Sequence, residues 1–148
     1  MGNGECNFSE CCPEKPIEAN FQGFFSNQPK KNKITIFYEI DNKDEEIKLF
    51  GSEFFERNKE KCRIVIDFFE SELKEKYRPK KDIKELKVTL EIKNDTTDLS
   101  YMFHGCSSLI SLPDLGNLNI SNITNISHLF SECPLLEEIT DDISRMEN

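Results

Sequence analysis

The chain has 148 residues and a formal net charge of -9, enough for one ordinary domain but not for two full-sized cores. The charge is uneven, since residues 1–29 contribute -3, residues 30–93 contribute +2 and residues 94–148 contribute -8. A nucleic-acid binder needs a basic face, and the only cationic run, Lys74–Lys87, is interleaved with acids, so we expect no nucleic-acid partner.

The sequence also lacks the signals of a membrane-spanning or secreted protein. No stretch approaches the ~20 apolar residues that cross a bilayer, and the N-terminus lacks the apolar core of a secretory signal. We therefore predict an intracellular, cytoplasmic protein. The six cysteines are accordingly expected as reduced thiols rather than as a disulfide scaffold.

Residues 1–33 are rich in Gly, Asn, Pro, Glu and Lys and show no sustained periodicity, which predicts a flexible N-terminal arm. Gly2 follows the initiator Met, as N-myristoylation requires, although Cys6 stands where Ser or Thr is preferred. One myristoyl chain anchors weakly, so palmitoylation of Cys6, Cys11 or Cys12 would supply the second signal for peripheral membrane contact. The alternative is that Met-Gly is merely a common start of a chain.

Residues 34–93 predict a small α+β unit. The β-branched and aromatic run Ile34–Ile40 predicts a strand that forms a hairpin with Ile47–Gly51. Ser52 then stands at the N-cap position of a short helix.

The second half of this unit continues with a strand at Arg63–Asp67 and ends with a strand at Leu86–Ile92. Between them, Phe69, Leu73 and Tyr77 recur every four residues, which predicts a second helix.

The sequence has twelve Phe and no Trp, so Phe is the main bulky core filler available. A cluster of Phe residues would also suit a ligand pocket, but core packing is the favoured interpretation. The Phe residues assigned to the core are Phe37, Phe50, Phe54, Phe55, Phe68 and Phe69.

Residues 94–148 contain two copies of a repeat. Moving the chain by 27 residues places Phe103 on Phe130, and a period of 27 is typical of leucine-rich repeats. Each copy predicts a short helical turn followed by a strand, at residues 108–112 and 135–139. The positions predicted to point into the core are Leu109, Leu112, Leu136 and Ile139.

The string from Ser100 to Asp114 resembles the repeat unit of the BspA-like leucine-rich-repeat family of bacterial and protist proteins. The segment from Ile47 to Cys62 is similar to the leader that precedes such arrays in protist members, so the resemblance covers roughly residues 34–142. It implies binding of proteins or surfaces rather than catalysis. The expected fold class is α+β, with a small mixed α/β unit capping a short leucine-rich-repeat solenoid.

Two histidines and two cysteines of the repeats, His104, Cys106, His128 and Cys133, raise the question of a zinc site. The histidines occupy different phases of the repeat and would not converge as ligands do. Cys106 and Cys133 share a phase, and stacked copies ~4.8 Å apart would bring them within disulfide range. In a reducing cell we expect buried free thiols instead, and we predict no cofactor or metal.

These features predict a non-catalytic leucine-rich-repeat protein-interaction module whose acidic strand face binds a protein with basic residues. The alternative is a structural or adhesive surface protein of which this chain is one piece. The exposed end of the second copy is expected to be covered by a partner or by a second copy of the chain, which leaves a homo-oligomer open. The candidate binding residues are Asp114, Leu136, Glu137, Glu138, Ile139 and Asp141.

Overall fold

A computed structural model describes residues 32–42 and 44–137 of the chain. The secondary-structure elements of these residues are, in chain order, β1 (Lys33–Glu39), β2 (Ile47–Lys48), α1 (Ser52–Asn58), β3 (Cys62–Ile66), β4 (Phe69–Glu72), β5 (Lys76–Tyr77), β6 (Glu85–Ile92), β7 (Leu109–Ser111) and a 3-10 turn at Leu115–Asn117. An antiparallel five-stranded sheet has the order β4-β3-β6-β1-β7, and β2 pairs with β5 separately. Among the described residues, no helix has the length and apolar character needed to span a membrane.

The two longest strands confirm the strands predicted at Ile34–Ile40 and Leu86–Ile92. β1 buries Ile34, Ile36 and Tyr38 on one face, with partly exposed residues between them. It runs antiparallel to β6, with Ile34 opposite Leu90 and Tyr38 opposite Leu86. Alternation with a period of two therefore places a continuous apolar face at the centre of the sheet.

The predicted hairpin between the first two strands is wrong. β1 pairs with β6 along seven residues and with β7 on its other side, whereas the two residues of β2 pair with β5. The long register with β6 buries more apolar surface than two residues of β2 could offer. β1 thus pairs with β6, the longer strand with a matching apolar pattern, and not with β2, the strand that follows it in sequence.

The predicted second helix is also wrong, because this segment forms β4 and β5. Phe69, Leu73 and Tyr77 are four residues apart, and such residues share a face in a strand as well as in a helix. The spacing therefore could not distinguish the two structures. Leu73 is buried between the two strands, while Phe69 lies largely in solvent.

Helix α1 confirms the predicted short helix but not its predicted cap. Gly51 is the N-cap, with no side-chain capping bond, and the Ser52 hydroxyl instead donates to Glu75 Oε2 at 2.5 Å. A Cβ atom at position 51 would lie 1.9 Å from the carbonyl oxygen of Tyr101. Only glycine allows the start of α1 to approach that backbone so closely.

The core is one cluster of buried side chains from the sheet, α1 and the C-terminal turns. The Phe50 ring lies 5.7 Å from the Phe54 ring and 5.8 Å from the Phe103 ring, measured between centroids. Leu109 and Leu112 point into this cluster, as predicted for the first repeat copy. Residues on both sides of position 93 thus share a single apolar interior.

The predicted leucine-rich-repeat solenoid is wrong. Strands of successive solenoid coils would pair with one another, but β7 pairs antiparallel with β1. In the second copy, residues 135–137 form no strand, and residues 138–148 lie outside the described chain. The described part of the chain is mostly antiparallel sheet with one short helix, and the free edge of β1 pairs with the first copy's strand.

The repeat is nevertheless visible as two stacked turns. The Tyr101 N–H donates to the Ser127 carbonyl and the Phe103 N–H to the Leu129 carbonyl, both at 3.0 Å. The rings of Phe103 and Phe130 stack with centroids 6.1 Å apart. These segments are hydrogen-bonded turns and not the predicted helical turns.

Candidate functional site

The β3–β4 hairpin ends in the two-residue turn Asp67-Phe68. The φ angles are 52° and 71°, the positive values of a type I′ turn, in which Asn and Gly are preferred. For a bulky L-residue this left-handed backbone costs about 1–2 kcal/mol. Local stability therefore does not explain a Phe at position 68.

The turn presents two aromatic side chains to solvent. Phe68 has a relative exposure of 101%, and Phe69 has 78%. Phe69 lies opposite Ile66 in the β3–β4 register, so it belongs to the core face of the sheet but projects beyond the core itself. The prediction that both residues are core fillers is wrong, because Phe68 lies in the turn and Phe69 directly after it, where both rings are exposed to solvent.

A concavity of about 420 Å³ lies beside these rings, and we call it the tip hollow. Its apolar and aromatic side chains lie next to several lysines. The residues that line it include Ile66, Phe69, Tyr77, Lys74, Lys80 and Lys81. A second hollow of about 290 Å³ shares Asp67, Phe68 and Lys81 with the first, so Phe68 borders both.

The cations of the tip hollow belong to the segment Lys74–Lys84, which we call the basic segment. It contains six basic and two acidic residues, a net charge of +4 in a chain of -9. Lys81 Nζ lies 3.5 Å from Asp67 Oδ2. Among the described residues, Lys74 and Lys80 form no ion pair, and both are exposed. Their charges are available to an incoming anion.

Strand β5 places Tyr77 against the tip hollow. Partial burial and the neighbouring Asp67 carboxylate raise the pKa of this phenol above its ordinary value, while Lys81 lowers it. The hydroxyl therefore stays protonated at neutral pH and can donate a hydrogen bond.

Comparison with known proteins assigns no function to the hairpin tip. No family model, curated protein or solved structure matches the chain. The resemblance to the BspA-like family rests on the quoted repeat residues alone and stays a prediction. The chemistry of the tip has to follow from its own residues.

The described residues include only three members of the predicted acidic binding face, Asp114, Leu136 and Glu137. Asp114 accepts hydrogen bonds from the Thr35 N–H at 2.7 Å and from Thr35 Oγ1 at 2.9 Å, so it links the first repeat copy to β1. Leu136 is half-buried. Glu137 is exposed, and its N–H donates to the Ile110 carbonyl at 3.0 Å. Asp114 thus has a structural role that the sequence did not indicate.

The remaining candidate residues belong to the two ends of the chain. Those outside the described residues are Gly2, Cys6, Cys11, Cys12, Glu138, Ile139 and Asp141. N-terminal acylation and the outer part of the acidic face therefore stay predictions.

Cys62, Cys106 and Cys133 are free thiols. Burial raises the pKa of Cys62 to about 12 and that of Cys133 to about 11, and it raises the pKa of Cys106 further still. Since the thiolate is the nucleophilic form, these side chains are weakly reactive at neutral pH.

The two repeat histidines contact the same aromatic ring. The His128 ring stacks on Tyr101 with centroids 4.8 Å apart, and the His104 ring meets Tyr101 edge-on at 5.4 Å. In the part of the chain that the structure describes, no group of three or more His, Cys, Asp or Glu residues is placed to hold a metal ion.

The hairpin tip was not predicted from the sequence, because Phe68 and Phe69 were assigned to the core by residue type alone. Asp67 follows directly on an alternating strand, and Asp is frequent in turns because it tolerates the left-handed conformation. That signal would have moved Phe68 from the core to a turn. Its proximity to the basic segment follows only from the tertiary structure.

Proposed function

We propose that this chain is a non-catalytic protein-interaction module whose contact surface is the tip of the β3–β4 hairpin. The observation that supports this most directly is the exposure of two adjacent aromatic side chains, Phe68 and Phe69. Aromatic side chains are enriched at protein interfaces, where a few buried anchors supply most of the binding energy. Phe68 and Phe69, which are exposed in the isolated chain, would be anchors of this kind.

The backbone of the turn supports the same conclusion. Phe68 has a strained φ of 71° and an entirely exposed ring, so within this chain it contributes strain without burial. A ring that becomes buried in a partner would offset that strain in the complex.

The proposal is non-catalytic because the described residues offer weak nucleophiles. Burial holds the pKa of all three described thiols well above neutrality, and the sequence has no phosphate loop or nucleophile elbow. The hairpin tip replaces the predicted acidic face as the leading surface, since Asp114 is engaged by Thr35.

A photo-crosslinking amino acid at position 68 of the full chain, expressed in cells of the source organism, tests the proposal. The matched control carries the same group at Leu135, another exposed apolar residue, which is 36% exposed. Each protein crosslinked only from position 68 is then purified and its affinity measured for the wild type, Phe68→Ser/Phe69→Ser and Leu135→Ser.

We expect the double Ser variant to lose about thirtyfold or more in affinity, the equivalent of about 2 kcal/mol for a hot spot, and Leu135→Ser to bind normally. Equal crosslinking from positions 68 and 135, or unchanged binding by the double variant, would refute the proposal.

A further inference from the structure

The shape of the tip hollow favours a side chain as its occupant. Its volume of about 420 Å³ lies within the range of ligand pockets, and its apolar wall is formed by Ile66, Phe69 and Tyr77. A flat bilayer would contact the protruding ring of Phe68 but would leave this concavity unfilled. A peptide can place an apolar side chain inside it.

The charges around the tip hollow favour an acidic occupant. Lys74, Lys80 and Lys81 lie at the hollow together with a single acid, Asp67, which gives a net charge of +2. Asp67 is paired with Lys81, so Lys74 and Lys80 are left without a carboxylate from the described residues. Complementary charge on a partner would steer its approach and fix its register.

The polar edge of the tip hollow adds a directional contact. The Tyr77 phenol stays protonated and can donate to a carboxylate beside the apolar anchor. The aromatic faces of Phe68 and Phe69 can pack against an aliphatic or aromatic side chain.

The same surface is poorly suited to an anionic membrane. Asp67 lies in the turn itself, and Glu70 and Glu72 are exposed on β4. Asp67 is paired with Lys81 and Glu70 with Arg63. The carboxylate of Glu72 has no ion pair among the described residues, and inserting the tip would bring it to acidic headgroups, where like charges repel. The acids are no obstacle to a peptide that occupies the tip hollow on the side of Lys74 and Lys80.

We propose that the tip hollow binds an acidic partner segment that carries one apolar anchor, with the anchor against Phe69 and Tyr77 and flanking carboxylates at Lys74 and Lys80. This inference rests on the proposed function, because it names the chemistry of the partner that the hairpin contacts. It differs from the sequence-based expectation of a basic partner, because the exposed aromatic tip lies beside the basic segment and not beside the acidic repeats.

Fluorescence anisotropy with the full chain tests the inference. The probe is a short fluorescein-labelled peptide of Glu and Ser residues with one central Phe. Two matched peptides replace Phe by Ser or every Glu by Lys, and phosphatidylserine vesicles serve as the membrane probe. The test variant is Lys74→Glu/Lys80→Glu, which leaves the Lys81–Asp67 pair intact.

The control variant Lys59→Glu/Lys93→Glu makes the same change of charge away from the tip, beyond α1 and at the far end of β6. Circular dichroism confirms that each variant is folded. We expect the acidic Phe peptide to bind, to lose at least about tenfold in affinity with Lys74→Glu/Lys80→Glu, and to bind the control variant normally.

Equal binding of the Ser peptide or of the Lys peptide overturns the inference, as does binding to the vesicles in preference to the acidic peptide. The crosslinking experiment separates this failure from failure of the proposed function. A partner segment crosslinked at position 68 that is neutral or basic overturns the acidic occupant while the protein-interaction function stands. An acidic crosslinked segment supports both.

Discussion

Replacing Phe68 by Gly should make the protein more stable. The wild-type residue has a φ of 71°, and a glycine there relieves a backbone cost of about 1–2 kcal/mol. Glycine in turn raises the entropy of the unfolded chain, which costs about 0.5–1 kcal/mol. Because the Phe68 ring is 101% exposed, its removal loses no buried area. The free energy of unfolding should therefore rise by about 0.5–1 kcal/mol.

Urea melts measure this change as a higher midpoint with an unchanged slope, and a thermal melt should show a rise in Tm of roughly 2–5 °C. Phe69→Gly is the matched control, because Phe69 lies in β4 and no positive φ is found there. Glycine at position 69 should destabilise by about 0.5–1 kcal/mol. If Phe68→Gly instead lost more than about 0.5 kcal/mol, the ring would have to make contacts within the folded chain, and its role as a free anchor would be refuted.

Three further substitutions probe the core, the repeat attachment and the thiols. Leu109→Ala should lower the free energy of unfolding by about 2–5 kcal/mol, because this side chain is fully buried, and a loss below about 0.5 kcal/mol in urea melts would place it outside the core. Asp114→Ala should cost about 1–3 kcal/mol through its two hydrogen bonds to Thr35, whereas the exposed control Asp95→Ala should stay within about 0.5 kcal/mol; equal melts would contradict this role. Between pH 9 and 12 stability should fall, because burial raises the pKa of Cys62 from 9.0 to about 12 and the unfolded state therefore loses its proton first. Burial raises the pKa values of Cys106, Cys133 and Tyr38 as well, and these groups add to the same slope. Cys62→Ala should therefore make the alkaline slope shallower without abolishing it, and an unchanged slope would show that the Cys62 thiol does not contribute.

The alternating strands were predictable because burial on one face repeats every second residue. The β1 and β6 patterns are of this kind, and the structure pairs them in a single long register. The second helix was not predictable from Phe69, Leu73 and Tyr77, because a spacing of four satisfies both periodicities. The segment forms strands because β4 pairs with β3 and β5 pairs with β2, and these pairings are not visible in the local sequence.

Two features of the molecule, the pairing of β7 and the hairpin tip, depend on contacts between residues that are distant in sequence. The period of 27 corresponds to two stacked turns, but its interpretation as leucine-rich-repeat coils was wrong. The pairing of β7 with the free edge of β1 cannot be seen from the repeat itself. The hairpin tip depends on a tertiary contact between β3 and β4 on one side and the basic segment on the other. Phe68 could have been placed in a turn from Asp67, but the hollow beside it could not.

Because the two turns are stacked, hydrogen exchange at backbone amides of the first repeat copy reflects whether the second copy is attached. The N–H groups of Leu99, Tyr101, Phe103 and Gly105 donate to carbonyl groups of residues 125–131. If the second copy detaches by local unfolding while the sheet remains intact, these four amides lose their acceptors together. Their hydrogen-exchange rates therefore share one opening free energy, which measures how firmly the C-terminal turn is held. The intervening amides of Ser100, Met102 and His104 donate to acceptors within residues 98–101, so they would keep their hydrogen bonds in that opening.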